Sequence, residues 1–187
     1  MINQYSCITN CLDYEERIRV SYMDSTFGAT SSFDANWTPE EAFSSTSSRG
    51  WHSGKGAPLP QHVFVTFPKK RSIAKISFMP PPNCVERLKQ KGITGAPEEY
   101  EIWATNDVIP KNGLTDGLSN NIAWDVLASV KGVKWDGCDS VSEVEIPRKE
   151  RKAYFSYAIA VHKSERFSHA SLARVRMWEA IQGYCPN

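Results

Sequence analysis

The chain has 187 residues, with 22 Lys and Arg against 21 Asp and Glu and a net charge of +1. That length suits one domain, residues 1–187, able to bury its own core, and near neutrality excludes a general field drawing it to nucleic acid or an anionic membrane. No apolar run approaches the roughly eighteen residues of a membrane span, and the opening MINQYSC lacks the apolar core of a signal peptide, which leaves room for a signal already removed.

Residues 1–17 form a Cys-bearing lead-in, and the rest, about 18–185, is the core of the domain. Arg17 to Tyr22 reads as a short strand. Met23 to Arg49 is a Ser/Thr-rich structured loop holding one helical turn at Pro39 to Phe43, with Thr38 as cap and Pro at the first position. From Trp51 to Pro82 the chain reads as a β-hairpin with a Gly/Pro-rich loop at its mouth. Val63, Val65 and Phe67 share one face of the first strand, a basic turn follows at Lys69 to Arg71, and Ala74, Ile76 and Phe78 share a face of the second. Residues 83–98 are a long loop. Tyr100 to Thr105 alternates again, Asn106 to Asn121 is a Gly/Asn/Asp loop, Trp124 to Val130 is a strand, and residues 131–142 are another loop. Glu143 to Ile146 is a short strand, Arg148 to Lys152 a solvated charged turn, and Tyr154 to Val161 and Leu172 to Trp178 complete the set. About eight strands and almost no helix predict an all-β, antiparallel sandwich.

Strands that reverse direction place alternate connections at opposite ends. The turns at 68–72 and 147–153 and the loop at 106–123 then share one end. The loops at 51–61, 80–98, 131–142 and 163–171 share the other, gathering His52, Ser53, Lys55, Asn83, Arg87, Trp135, Phe167 and His169 as candidate ligand-binding residues. Five cysteines near the ends or in loops favour disulfides and an oxidising, extracellular compartment. The same directions bring Cys84 to Cys138, and Cys185 to Cys11 or Cys7, leaving one cysteine over that offers a route to a homo-oligomer. The spacing of Cys7 and Cys11 has no second close pair to complete a zinc site. Asn36-Trp37-Thr38 is a glycosylation sequon, followed by Pro39.

The chain resembles the discoidin or coagulation-factor C-type domains, within the galactose-binding-like jelly-roll sandwiches. The resemblance rests on RVSYMDSTFGATSSF, Ala42-Phe43, GWHSG, LPQHVFVTF, IAKISFMP, YEIWATND, AWDVLASVKG and the closing SLARVRMWEA before Cys185, taken in order. It implies a non-catalytic recognition module whose relatives bind glycans, phospholipid head groups or proteins through loops at one end. A terminal disulfide is common to many such domains and matches the Cys11 or Cys7 to Cys185 pairing.

Some positions depart from that family. His52 matches the His of sugar-binding relatives, but the Arg expected after the second hairpin strand is Pro81 or Pro82 here, so Arg87 is the substitute. The acidic calcium ligands of other relatives are replaced by Ser44-Ser45 and Arg174, which predicts no calcium and Arg174 filling the space as an internal cation. No cofactor is called for.

Among single residues, His52 either donates to a sugar oxygen or holds the loop backbone in shape. Phe167 and His169 stand where relatives present a stacking ring. Trp51 and Trp124 are read as core, and Trp135 as exposed. With no Gly-x-Ser-x-Gly, no His-Glu-x-x-His and four scattered histidines, a hydrolase is excluded. The leading reading is glycan binding, the alternative a protein-interaction or cell-adhesion domain, and phospholipid head-group binding ranks third.

Overall fold

A computed structural model of the chain describes residues 15–81, 95–114, 122–165 and 168–182. Its elements are β1 (Glu15–Arg19), β2 (Thr26–Ala29), the short helix α1 (Pro39–Phe43), β3 (Trp51–His52), β4 (Gln61–Arg71), β5 (Ile73–Met79), β6 (Pro97–Thr105), β7 (Asp125–Lys131), β8 (Ser142–Glu145), β9 (Tyr154–Ser164) and β10 (Ser171–Gln182). One sheet runs β1-β10-β5-β8 with β3 also on β10; the other runs β2-β4-β9-β6-β7. Every pairing is antiparallel. The fold is therefore the all-β antiparallel sandwich that the alternation predicts.

The core lies between the sheets. Val63, Val65 and Phe67 of β4 and Ile159 and Val161 of β9 meet Ile76 and Phe78 of β5 and Leu172, Val175 and Met177 of β10. Each side chain fully buried in this way contributes about 1.5–3 kcal/mol of transfer free energy. Trp51, fully buried, closes the core toward the long-loop end.

The segment read as a hairpin is a crossover between sheets. β4 pairs with β2 and β9, whereas β5 pairs with β10 and β8. Alternation specifies only which face of a strand is apolar, and two strands facing one core from opposite sheets carry the same pattern as two neighbours in one sheet. The corner is pinned by Tyr157, whose hydroxyl donates to the Arg71 carbonyl at 2.5 Å and accepts from the Ile73 N–H at 3.3 Å. Because the crossover still reverses direction, the loop after β3, the Gly95 turn, the loop carrying Trp135 and the 168–170 segment still meet at one end.

Other expectations need correction. Among the described residues the strands number ten against the eight or so expected, because β2 and β3 arise inside stretches read as loop; four and two residues long, they are too short to show a period and are set by pairing with β4 and β10. The 106–114 segment does not stay at one end. Ile109 and Leu114 lie on Phe64 and Ala158 over the outer face of the second sheet, and the Thr66 hydroxyl donates to the Ile109 carbonyl at 3.0 Å. Gly28 permits this, since a Cβ there would stand 2.4 Å from both the Lys111 carbonyl oxygen and Phe64 Cζ. Trp124 is half-buried in this outer cluster against Trp103, not in the main core. In the charged turn, Arg151 is not solvated: its Nε donates to the Ile146 carbonyl at 2.6 Å and its side chain is 6% exposed.

Candidate functional site

The long-loop end is built on two closely packed crossings. Gly50 lets the chain pass over β10, where a Cβ would lie 2.6 Å from the Leu172 carbonyl oxygen. Trp51 and His52 then pair with Leu172 and Ser171. Ser53, fully buried, locks the next loop: its N–H donates to the Ala170 carbonyl at 2.9 Å, and its hydroxyl accepts from the Ala170 N–H at 3.0 Å. Gly95, at φ 85°, lies against the His169 ring, where a Cβ would stand 2.6 Å from His169 Cδ2. Only glycine accepts both that conformation and that approach.

On this floor the His52 and His169 rings stack, with centroids 4.3 Å apart and planes 18° from parallel. His52 is 9% exposed, and its Nδ1 donates to the Ser53 carbonyl at 2.6 Å. Two more rings flank it, Phe33 at 5.1 Å and Trp37 at 6.0 Å. Phe33 is held there by its own N–H, which donates to the His52 carbonyl at 2.8 Å, yet its ring remains 46% exposed. Phe33 thus stands exposed beside the buried His52 imidazole, which in turn stacks on the half-buried His169.

The rim around Phe33 is polar and ordered. The Asn36 N–H donates to Asp34 Oδ1 at 2.7 Å, and Arg49 Nη1 donates to Asn36 Oδ1 at 2.7 Å, with both side chains exposed. Ser31 ties this loop to its neighbour: its hydroxyl donates to Gln61 Oε1 at 2.5 Å and accepts from the Gly54 N–H at 2.9 Å, and its carbonyl accepts from Trp51 Nε1 at 2.9 Å. Lys55 is exposed beside Gly56, which turns at φ 76°.

Of the candidate residues, His52, Ser53 and His169 come into contact, and Lys55 sits on the adjoining turn. Ser53 and the His52 Nδ1 are occupied by backbone, so both act as loop braces. Trp135 is half-buried, not exposed. Its Nε1 donates to the Pro97 carbonyl at 2.9 Å and its ring lies 6.0 Å from Phe78, because the loop needs an apolar wedge against the core. Asn83, Arg87 and Phe167 lie outside the described residues, as do Cys7, Cys11, Cys84 and Cys185. Cys138 is disulfide-bonded. Phe33, Trp37 and Arg49 were not among the candidates; the only signal for them was an aromatic set among small polar residues in a loop.

The calcium position is also defined. After α1, the Ser44 hydroxyl accepts from the Thr46 N–H at 3.3 Å and the Ser47 N–H at 3.1 Å, and the Ser47 hydroxyl donates to Glu41. Arg174 sits in the left-handed region, φ 52°, at a bulge of β10, half-buried, with its Nε buried and Nη1 4.0 Å from Met79 Sδ. Among the described residues no group of three or more His, Cys, Asp or Glu is gathered to hold a metal.

No family model and no curated protein sequence matches the chain. Solved structures do. The family 32 CBM (carbohydrate-binding module) from C. perfringens NanJ, in complex with galactose, is 19% identical, with a TM-score of 0.61 over 88% of this chain and 100% of that one. An F5/8 type C domain from Bacteroides fragilis is 10% identical, with a TM-score of 0.62 over 87% of this chain and 96% of that one. Discoidin II from Dictyostelium discoideum is 12% identical, with a TM-score of 0.59 over 87% of this chain and 58% of that one. The two-sheet architecture, the order of its strands and these likenesses together show that the chain has the discoidin-like, galactose-binding-like β-sandwich fold.

Proposed function

We propose that this protein is a non-catalytic, lectin-like module that binds a neutral glycan at the long-loop end, with Phe33 as the stacking platform. The observation that carries the reading is Phe33, 46% exposed and held against the buried His52 ring, which stacks on the half-buried His169. An aromatic face packs on the apolar C–H face of a pyranose, and convergent polar groups set orientation. Arg49, Asn36 and Lys55 supply donors and an acceptor on the rim. The NanJ module of the same fold was solved with galactose, which makes galactose-terminated glycans the first ligands to test.

The rest of the reading follows from the same surface. The module binds its ligand without turning it over, a reading that the carbohydrate-binding modules and discoidin domains of the same fold support. The glycan belongs to a cell surface or an extracellular protein, and the chain works outside the cell, with Cys84 as the partner of Cys138 and Cys185 bridged to Cys11 or Cys7. Among the described residues no helix is long and apolar enough to cross a membrane.

A multivalent display of the protein on a glycan array tests the proposal. Galactose-terminated glycans should be retained by the parent protein and lost by Phe33→Ala. Failure to retain any glycan, with saturable binding to a deglycosylated extracellular protein, would establish the adhesion reading in its place.

A further inference from the structure

Behind the Phe33 loop lies a cavity of about 240 Å³ that the ring platform does not use. Gly28 and Ala29 of β2 and Pro39 form its apolar part, while Ser32, Glu40, Lys111 and Asn112 bring polar groups to it. Ser31 and Ser32 line the cavity and directly precede Phe33, so one three-residue segment separates it from the platform.

The cavity wall is set by contacts with their own structural cause. Lys111 is carried by the segment that Ile109 and Leu114 hold down on the second sheet, and Gly28 leaves room for its carbonyl. The Gly113 N–H closes that turn on the Pro110 carbonyl at 2.8 Å. From there Lys111 Nζ reaches Glu40 Oε1 at 2.5 Å, joining the loop to α1. The second Glu40 oxygen, Oε2, is buried and makes no hydrogen bond of normal geometry. Such an acceptor is costly to leave unmet. Burial, the largest single influence, would raise the Glu40 carboxyl, yet donation from Lys111, from its own backbone N–H and from the Thr38 hydroxyl, with the charge of Lys111, together outweigh it and hold the group below its ordinary range, so the acceptor is a carboxylate.

This chemistry selects a class of ligand. The ammonium and carboxylate neutralise each other, which disfavours an anion or a cation. An acceptor oxygen beside ammonium, hydroxyl and amide groups, over an apolar patch, matches a neutral polyhydroxyl ring. We propose that this cavity is a second saccharide subsite, which takes the next sugar of a chain whose first sugar lies on Phe33, with Glu40 and Lys111 gripping its hydroxyls. The inference rests on the glycan reading of the Phe33 end and adds to it a preference for oligosaccharides over monosaccharides.

The test is an amide chemical-shift titration of the whole 15N-labelled protein with galactose, lactose and a linear galacto-oligosaccharide. Galactose should shift the Phe33 and His52 amides alone. The longer sugars should also shift Gly28, Ala29, Ser32 and Asn112 and bind about tenfold more tightly. Glu40→Gln and Lys111→Met should abolish that gain while leaving galactose affinity unchanged. The pair is exposed enough that its loss should not unfold the domain, and Asn112→Ala gives a second variant that leaves the pair intact. Shifts confined to the Phe33 loop, with no gain in affinity with length, would overturn the second subsite and leave the platform standing. The absence of shifts at either place with any of the three sugars would overturn both.

Discussion

Removing the His52 imidazole takes away the His169 stack and the Nδ1 bond to Ser53 together. His52→Ala should therefore lower stability by about 1–3 kcal/mol, the cost of a lost buried hydrogen bond and its packing, read as a lower urea midpoint at unchanged slope. An unmoved midpoint with binding abolished would make His52 a direct ligand donor instead. A second histidine, His62, ties stability to pH. It is 1% exposed, its ring lies 5.0 Å from Trp103, and neither nitrogen has a hydrogen-bond partner. Burial, then the charge of nearby His162, pull its pKa down from 6.5 to about 4. Between those values the unfolded chain takes up a proton that the folded one refuses, so stability is full above pH 6.5 and falls as pH drops toward 4, by on the order of 3 kcal/mol. His62→Phe should flatten that slope in melts between pH 7 and 4.5; a parent protein with no slope there would refute the account. The His of the Trp-His pair and His169 were legible because both border Gly- or Ser-flanked loops at strand ends. Phe33 was not, since Ser31-Ser32-Phe33-Asp34 has no period, and which way a lone loop aromatic faces depends on the Phe33 N–H bond to the His52 carbonyl.

Strand identity was readable wherever one face was apolar over five or more residues, as in β4, β5, β6 and β9. Strand partnership was not, and the crossover from β4 to β5 shows why: each strand bears the same alternation whichever sheet it joins. What decides it includes Tyr157, distant in sequence, whose hydroxyl bridges Arg71 and Ile73 across the corner. Tyr157→Phe keeps the ring in the core and deletes both bonds, so it should cost about 1–3 kcal/mol, measured by denaturant melts against the parent protein; a cost near zero would remove the corner's explanation. The turn after α1 makes the opposite case, for its serines were readable as replacements for acidic ligands. Their hydroxyls close that turn through Thr46, Ser47 and Glu41 without an ion. The melting temperature should accordingly be the same in chelator and in millimolar calcium, and a fall in chelator restored by calcium would reject this.

At the scale of the whole molecule, the direction of successive strands was enough to gather the described parts of the loops around His52 and His169 at one end, because a crossover and a hairpin both reverse the chain, but it did not place the 106–114 segment, which leaves the opposite end to lie over the second sheet. The His52 end carries the ring, the rim donors and the adjoining cavity. The opposite end carries Lys149, exposed in the turn at 148–150 and paired at 3.8 Å with its neighbour Glu150. The account's central claim is that recognition belongs to the first of these ends. Binding curves for Phe33→Ala and Lys149→Ala, each confirmed folded and each measured on one galactose-terminated surface against the parent protein, test it most directly. The expected result is a loss of about 1–2 kcal/mol, roughly tenfold in affinity, for Phe33→Ala and no change for Lys149→Ala, whereas full binding by Phe33→Ala and lost binding by Lys149→Ala would place recognition at the opposite end and contradict the account.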